Sequence, residues 1–382
     1  MPATPLRPEQ AARLADMIYG GLVHANTTDT LNAAGGGLGN DFTPISDTLV
    51  EGRTGMGSRI RTSNFAMTLT RNGAPREKVV VVRGTDFPSL RDWLTNANVA
   101  FVSARRIGGA QVHKGFYAAF ESQIDQLNTQ LGLRDGDSVH VLGHSLGGAI
   151  ATLLAAYWAQ RGTSTKLYTF GAPRVALPPF QYQTRRRLGA QNIYRVYDFC
   201  DPVPMVPIFP FCHPFSAGIA VGRTTGGMNR HSMGNNYIPA CTGLSWEQMR
   251  RSSNSFDLRG DIDAMLGRAR DETRIPGNSF GMWCLGRVLY LLVVSIGGAL
   301  TVPAIATLTV IDRIAMILET AASAIRGMAD RVMSWLRSAL RWLGREVAAP
   351  AADVTRSFLR YVLDLFFRGV SAAASRMIDM VH

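Results

Sequence analysis

The chain has few lysines and no closely spaced pair of cysteines, and these two features bear on its charge and on the metal and redox sites it could form. Only Lys78, Lys114 and Lys166 are lysines among 40 basic residues, so arginine carries the net charge of +12. None of the four cysteines belongs to a Cys-x-x-Cys pair, which argues against zinc sites and dithiol redox sites. Reduced thiols are expected, and a Cys200–Cys212 bridge is the alternative.

Two further absences narrow the class of partner. A basic surface attracts polyanions, but the sequence has no zinc-finger spacing, no RNA-recognition signature and no basic run interleaved with aromatic residues. Nucleic acid is therefore not expected as a partner. The first ten residues, MPATPLRPEQ, have no apolar core behind their arginine, so a cleaved signal peptide is not expected.

Short apolar runs alternate with helical patterns through the first two thirds of the chain. Continuous apolar runs of this length are typical of buried parallel strands, and the alternation is typical of a sheet flanked by helices. The segment 33–40 lacks the strand and helix that a phosphate-binding loop needs, so we expect a linker there. The pattern predicts an α/β fold up to about residue 250, with strands at 78–83, 138–142, 167–170 and 193–197 and helices at 8–23, 116–131 and 148–160.

The composition changes after residue 250. Residues 288–311 carry no charge over 24 consecutive positions, and about 20 apolar residues are enough to cross a bilayer core. Residues 312–345 and 353–380 then place arginines opposite apolar positions, a pattern typical of helices at a lipid interface. A soluble helical bundle is the alternative. The predicted organisation is an α/β domain over 1–250, a connecting segment over 251–284 and a membrane-associated helical region over 285–382.

The segment Gly143-His144-Ser145-Leu146-Gly147 lies between a predicted strand and a predicted helix. Small residues at both ends allow the strained turn that projects a serine from the carboxyl edge of a sheet. The helix that follows aims its first backbone amides at the same point. A serine hydroxyl needs a base to become a nucleophile. Ser145 is therefore the candidate nucleophile, and a serine in an ordinary strand-to-helix turn is the alternative.

The order of residues limits the partners of this serine. In this arrangement an acid and then a histidine follow the nucleophile. Before the C-terminal residue the candidates are Asp198 or Asp201, and His213 or His231. Asp201 is preferred because it opens a proline-stiffened loop just past a strand end. His231 is preferred because its polar, glycine-bearing loop is of the kind that carries a catalytic base.

An acyl-transfer site also needs two donors for an oxyanion. The backbone N–H of Leu146 is one candidate, because it follows the nucleophile. Thr85, at the end of the strand in VVVVRGTD, is the other. Asp92 is a candidate to brace Thr85, or else a solvated helix residue. His144 is expected to pack under the turn.

Six segments then occur in a fixed order, and together they resemble the class 3 lipase family of α/β-hydrolases, which act on acylglycerols and phospholipids. The resemblance covers about residues 60–240. The segments are VVRGTD with DWL, VHKGFYAAF, VHVLGHSLGGAIATLLA, LYTFGAPRV, YDFCDPVPMVP and HSMGNNY.

The resemblance implies roles for individual residues. Ser145, Asp201 and His231 correspond to nucleophile, acid and base, and Thr85 and Leu146 to the oxyanion hole. The residues around 87–101 fall where the family carries its lid, and His113 matches a position that is usually structural. No metal or cofactor is expected.

The expected function is a serine ester hydrolase that cleaves phospholipids or acylglycerols at a membrane surface. The alternatives are a soluble carboxylesterase or thioesterase, and a membrane-perturbing protein that keeps only the hydrolase fold. The expected location is at a membrane, in the cytoplasm or after export by a signal-independent route. The region from about residue 285 departs from the family pattern and says nothing about headgroup choice.

Overall fold

The structure of the protein is a computed structural model, and most of the chain is described below. The described residues are 3–20, 27–46, 49–54, 61–84, 101–207, 211–214, 218–222, 229–254, 279–297, 309–345 and 354–379. The strands are β1 Phe42–Pro44, β2 Val50–Thr54, β3 Arg61–Arg71, β4 Ala74–Val82, β5 Phe101–Ala104, β6 Ala110–His113, β7 Ser138–His144, β8 Ser164–Phe170, β9 Ile193–Asp198 and β10 Ile219–Val221. The helices are α1 Pro8–Gly20, α2 Thr27–Ala33, α3 Leu38–Asp41, α4 Lys114–Glu121, α5 Ile124–Leu131, α6 Leu146–Gln160, α7 Pro178–Leu188, α8 Ile238–Cys241, α9 Trp246–Asn254, α10 Ser279–Gly297, α11 Val310–Ala324, α12 Met328–Trp342 and α13 Arg356–Asp379.

A mostly parallel sheet organises the first two thirds of the chain. Strands β4, β7, β8, β9 and β10 run parallel in that spatial order. Strand β3 joins β4 in the antiparallel sense, and β1 and β2 both pair with β3. Strands β5 and β6 form a separate antiparallel hairpin. The predicted α/β class, a mostly parallel sheet flanked by helices, is confirmed.

Strand β4 shows why helices cover both faces of this sheet. Successive side chains of a strand point to opposite faces. Val79 and Val81 belong to a hydrophobic cluster with α1 and α9, whereas Val80 and Val82 belong to a second cluster with α4, α5 and α6. Both faces are therefore dry at residues 79–82, which form a continuous apolar run in the sequence.

Two predicted segments differ from the structure. The predicted helix over 116–131 is two helices, because α4 ends before Ser122 and Gln123, whose side chains both donate to one backbone carbonyl of α4. The linker expected over 33–40 is partly helical, since Leu38–Asp41 forms α3. Composition alone favoured a loop there because four of those eight residues are glycines.

The C-terminal region folds into four helices, α10 to α13, whose apolar residues join the second cluster. Helix α11 begins with a capping box, in which the side chains of Thr309 and Asp312 each accept the other residue's backbone N–H. The indole N–H of Trp335 donates to the carbonyl of Leu285 at 2.9 Å and joins α12 to α10. These contacts make the helices continuous with the core of the sheet domain.

The apolar faces of these helices pack inside the protein rather than facing outward as the lipid-interface interpretation expects. Ile314, Leu318, Val332 and Leu336 are all buried. Within the ranges given above, none of the helices is long and apolar enough to span a bilayer. Part of the uncharged run, residues 298–308, lies outside the described residues. The division into 1–250, 251–284 and 285–382 stays a prediction.

The cysteines generate a direct chemical test. All four are free thiols, and burial raises the pKa of Cys200 to about 11 and of Cys212 and Cys241 to about 12. Because the thiolate is the reactive form, we expect slow reaction with Ellman's reagent in native, reductant-free buffer and four reactive thiols in guanidinium chloride. Only two thiols in the denaturant would instead reveal a disulfide.

Candidate active site

Ser145 occupies the bend between β7 and α6. Its backbone has φ +54° and ψ −130°, a conformation that costs a residue with a side chain about 1–3 kcal/mol. The Ser145 N–H donates to the carbonyl of Phe170 in β8 at 3.0 Å, and its carbonyl accepts from Gly148 N–H at 3.0 Å. The neighbouring strand and the first turn of α6 therefore hold the strained bend in place.

Two glycines allow this bend to form. A Cβ at Gly143 would lie 2.4 Å from the carbonyl carbon of Gly147, and a Cβ at Gly147 would lie 2.2 Å from the carbonyl oxygen of Val82. Both distances are far below a normal van der Waals contact, so β4, β7 and α6 can approach this closely only where side chains are missing. The Gly-x-Ser-x-Gly spacing therefore has a packing cause.

The expected oxyanion donors are described only in part. Leu146 is the first residue of α6, and the N–H groups of a first helical turn have no acceptor inside the helix. The negative charge of an acyl-transfer reaction develops on the carbonyl oxygen of the substrate, and the Leu146 N–H remains the expected donor to it. Thr85 and Asp92, and the expected lid over 87–101 except its last residue, lie outside the described residues.

His231 and Asp201 form a buried hydrogen-bonded pair. Asp201 Oδ2 accepts from His231 Nδ1 at 2.7 Å and from the Tyr237 hydroxyl at 2.6 Å, and Oδ1 accepts from Val203 N–H at 2.9 Å. Because Nδ1 donates to the carboxylate, Nε2 of the neutral ring is left as an acceptor. Nε2 is buried and has no hydrogen-bond partner among the described residues.

This pair lies beside Ser145. The imidazole of His144 stands 4.4 Å from that of His231, ring centre to ring centre, and His144 Nε2 donates to the His231 carbonyl at 2.8 Å. On the other side, Phe170 accepts the Ser145 N–H, and a Cβ on the next residue, Gly171, would lie 3.0 Å from His231 Nδ1. His144, the chain neighbour of Ser145, and Gly171, the chain neighbour of the residue that accepts the Ser145 N–H, therefore both lie against His231.

The other two candidates from the sequence take different partners. Asp198 accepts from the backbone N–H of Cys200 at 2.7 Å and from Asn236 at 3.2 Å. His213 Nε2 donates to the carbonyl of Pro204 at 2.9 Å, and burial lowers the pKa of this imidazole well below its usual value. The geometry thus brings Asp201 together with His231, whereas Asp198 and His213 form hydrogen bonds with other residues.

Two tyrosines of the site escaped the sequence reasoning. Tyr237 ends a π-helical turn that starts two residues after His231, and burial raises the pKa of its hydroxyl, with the Asp201 charge acting in the same direction. It therefore stays protonated and donates to the carboxylate. Tyr19, on α1, pairs through its hydroxyl with His144 Nδ1 at 2.9 Å. Both tyrosines are visible in the sequence, but no local pattern links either of them to its partner.

His113 has a structural position. It caps the N-terminus of α4, where its Nδ1 accepts from the backbone N–H groups of Gly115 and Phe116. Burial lowers its pKa to about 3, so the ring is neutral and keeps the lone pair that the cap requires.

Gly171 offers a geometric test of the pair. Its φ is +56°, and a Cβ there would lie 2.9 Å from Asp201 Oδ2 and 3.0 Å from His231 Nδ1. We expect Gly171→Ala to displace the two side chains and lower ester turnover about 100-fold, the typical cost of a misplacement of about 1 Å. Gly162 is the matched control, because its φ is +83° with nothing within 4 Å of a Cβ. Equal losses of kcat in both alanine variants would contradict this prediction.

Comparison with known proteins finds one family that the central part of the chain resembles. The family model described as lipase (class 3) matches residues 79–211. A secreted mono- and diacylglycerol lipase 1 of Fusarium solani is 34% identical over 179 residues, which are 45% of this chain and 50% of that protein. The toxin TseL of Vibrio cholerae is 32% identical over 126 residues, 32% of this chain and 19% of the toxin.

A solved structure gives a similar overlap. The mono- and diacylglycerol lipase from Aspergillus oryzae superposes with a TM-score of 0.42 at 24% identity, over 56% of this chain and 79% of the other. The chain thus spans half or less of the two curated relatives described above. The matched segment runs from the middle of β4 to just past the loop that carries Asp201, which we call the acid loop. It includes Ser145 and Asp201. Residues 79–211 of this chain therefore resemble the class 3 lipase family.

Proposed function

We propose that this protein is a serine ester hydrolase that cleaves acyl esters of lipids, either phospholipids or acylglycerols. The observation that carries the proposal is the buried His231–Asp201 pair, 2.7 Å apart, beside a strained serine. The match of residues 79–211 to the class 3 lipase family supports lipids as the substrate class. A relative named a mono- and diacylglycerol lipase supports the same substrate class.

In the first half of the proposed reaction, His231 Nε2 takes the proton of Ser145 as the hydroxyl oxygen attacks the ester carbonyl. Asp201 keeps the proton on Nδ1 and stabilises the imidazolium that forms. The carbonyl oxygen becomes an oxyanion, which the backbone N–H of Leu146 and a donor at Thr85 stabilise. The alcohol part of the lipid then leaves with the proton from Nε2, and an acyl-serine remains.

In the second half, a water molecule gives a proton to His231 and attacks the acyl-serine. The second tetrahedral intermediate uses the same backbone donors. Its collapse returns the proton to Ser145 and releases the fatty acid. The buried surroundings of Asp201 strengthen its bond to the imidazolium, because water does not compete for the carboxylate.

We also propose that the reaction takes place at an anionic membrane surface. The apolar faces of α11 and α12 are used inside the protein, so the surface that remains for lipid is the basic outer side of α12 and of the turn before it. Arg326, Arg331 and Arg337 are exposed there. Each arginine near an anionic membrane contributes about 1 kcal/mol of attraction. This proposal makes the protein membrane-associated through charge rather than through an inserted helix.

The proposed triad predicts a graded set of losses. Ser145→Ala removes the nucleophile and is expected to abolish hydrolysis of a medium-chain ester. Asp201→Asn leaves the wrong tautomer of the imidazole and is expected to lower kcat by about 10⁴. Asp198→Asn is the matched control, because Asp198 is equally buried but bonds Cys200 and Asn236 rather than the imidazole. A rate for Ser145→Ala equal to wild type would remove the proposal, and equal losses in both asparagine variants would remove the assigned acid.

The charged outer side predicts how the protein binds vesicles. Binding is expected to be stronger to mixed phosphatidylserine and phosphatidylcholine vesicles than to phosphatidylcholine alone, and to weaken with salt as screening shortens the range of the attraction. Arg331→Glu and Arg337→Glu should each weaken binding at least fivefold. Arg134→Glu is the control, because Arg134 is exposed in the turn before β7. Co-sedimentation measures this, and equal binding by all variants would contradict it.

A further inference from the structure

The loop that carries Asp201 is packed between the sheet domain and the C-terminal helices. It follows β9 and turns once at Val203–Met205. Phe199, two residues before Asp201, is buried and meets the indole of Trp283 on α10 edge-on, with ring centres 4.9 Å apart and planes at 72°. On the other side of Asp201, helix α13 packs against the Val203–Met205 turn.

These two contacts lie on either side of the carboxylate. Asp201 Oδ1 accepts from the N–H of Val203 at 2.9 Å, so a shift of the turn that begins at Val203 shifts the carboxylate with it. Val203, Met205 and Val206 belong to the same hydrophobic cluster as the apolar residues of α10 to α13. The backbone that presents the acid is therefore fixed by packing that the C-terminal helices supply.

The hydrogen bonds of the acid do not replace this packing. Tyr237 and His231 both donate to Oδ2, so they orient the end of the carboxylate. The position of its backbone depends instead on the Asp201 N–H, which donates to the Asp198 carbonyl at 3.2 Å, and on the packing around the loop. An edge-to-face aromatic pair prefers a narrow range of geometries. The pair between Phe199 and Trp283, two positions before Asp201, therefore limits how far the backbone at Asp201 can move. A displacement of about 1 Å at a catalytic group is enough to cost roughly 100-fold in rate.

We propose that Trp283 is a positioning residue for Asp201, so that helix α10 holds the loop of the acid in place. The inference rests on the proposed ester hydrolase function for its kinetic readout. Trp283 lies outside the segment 79–211 that matches the family model. It acts through Phe199 on the acid loop and has no role in binding the scissile ester. Its loss therefore lowers kcat and leaves KM unchanged.

The chain offers a matched control in a second tryptophan. Trp342 is also half-buried, and its ring meets Phe366 edge-on with ring centres 5.8 Å apart and planes at 73°. This contact lies between α12 and α13 and does not involve the acid loop. Trp283→Ala and Trp342→Ala thus remove the same kind of side chain and the same kind of aromatic contact from the same set of helices.

The experiment compares these variants in the full-length protein. Trp283→Ala is expected to lower kcat on a soluble ester by 10- to 100-fold at unchanged KM, and Trp283→Phe, which keeps an aromatic edge, to recover most of it. Trp342→Ala should keep kcat within threefold of wild type, even if it lowers the melting temperature as much as Trp283→Ala does. Equal kcat in Trp283→Ala and Trp342→Ala would overturn the positioning role.

A spectroscopic readout keeps this test separate from the proposed function. The proton that His231 Nδ1 donates to Asp201 should give a low-field NMR resonance, assigned by its loss in His231→Ala. Trp283→Ala is expected to shift or broaden it, whereas Trp342→Ala leaves it in place. An unchanged resonance in Trp283→Ala would overturn the positioning role even if no ester were hydrolysed. Absence of hydrolysis by wild type would instead count against the proposed function alone.

Discussion

The hydrogen bond between His231 Nδ1 and Asp201 Oδ2 is the interaction on which the rest of the site depends. Both side chains are almost fully withdrawn from solvent, and a buried carboxylate is stable only when it is paired and hydrogen-bonded. Asp201 meets this condition with three donors, from His231, Tyr237 and Val203. Several separate parts of the chain must therefore fold correctly before the imidazole has a fixed tautomer.

Elements far apart in the sequence contribute to that condition. Helix α1 brings Tyr19 to His144, which in turn holds the His231 carbonyl. Gly171, just past the end of β8, leaves the space in which the two side chains meet. The C-terminal helices cover the loop that carries the acid. The N-terminal helix, the sheet and the C-terminal helices thus all pack around the residues of this pair.

The sequence predicted well whatever is determined locally. Strand periodicity and the glycine spacing around Ser145 predicted the β7–α6 bend, since sterics at Gly143 and Gly147 leave few alternatives. Chain order reduced the partners of Ser145 to four pairs, and loop composition ranked them. The preferred pair, Asp201 and His231, is the pair that the fold brings together, while its catalytic role stays a prediction.

Longer-range contacts were beyond this reasoning. Tyr237 lies 36 positions from Asp201 and Tyr19 lies 125 positions from His144, and nothing in the local pattern marks either contact. The amphipathic C-terminal helices were ambiguous for a different reason. A lipid interface and a protein core are both apolar, so the same face serves either environment. The structure resolves the ambiguity for the described residues by burying positions such as Val332 and Leu336.

Labelling with a fluorophosphonate tests the central claim most directly, because the reagent reports whether the serine is activated by its base without requiring the right lipid. The account predicts that one phosphonate attaches to Ser145, as located by peptide mass spectrometry, and that Ser145→Ala and His231→Ala are not labelled. It also predicts much slower labelling of Asp201→Asn than of Asp198→Asn. Labelling of Ser145 at the same rate in wild type and His231→Ala would contradict the account.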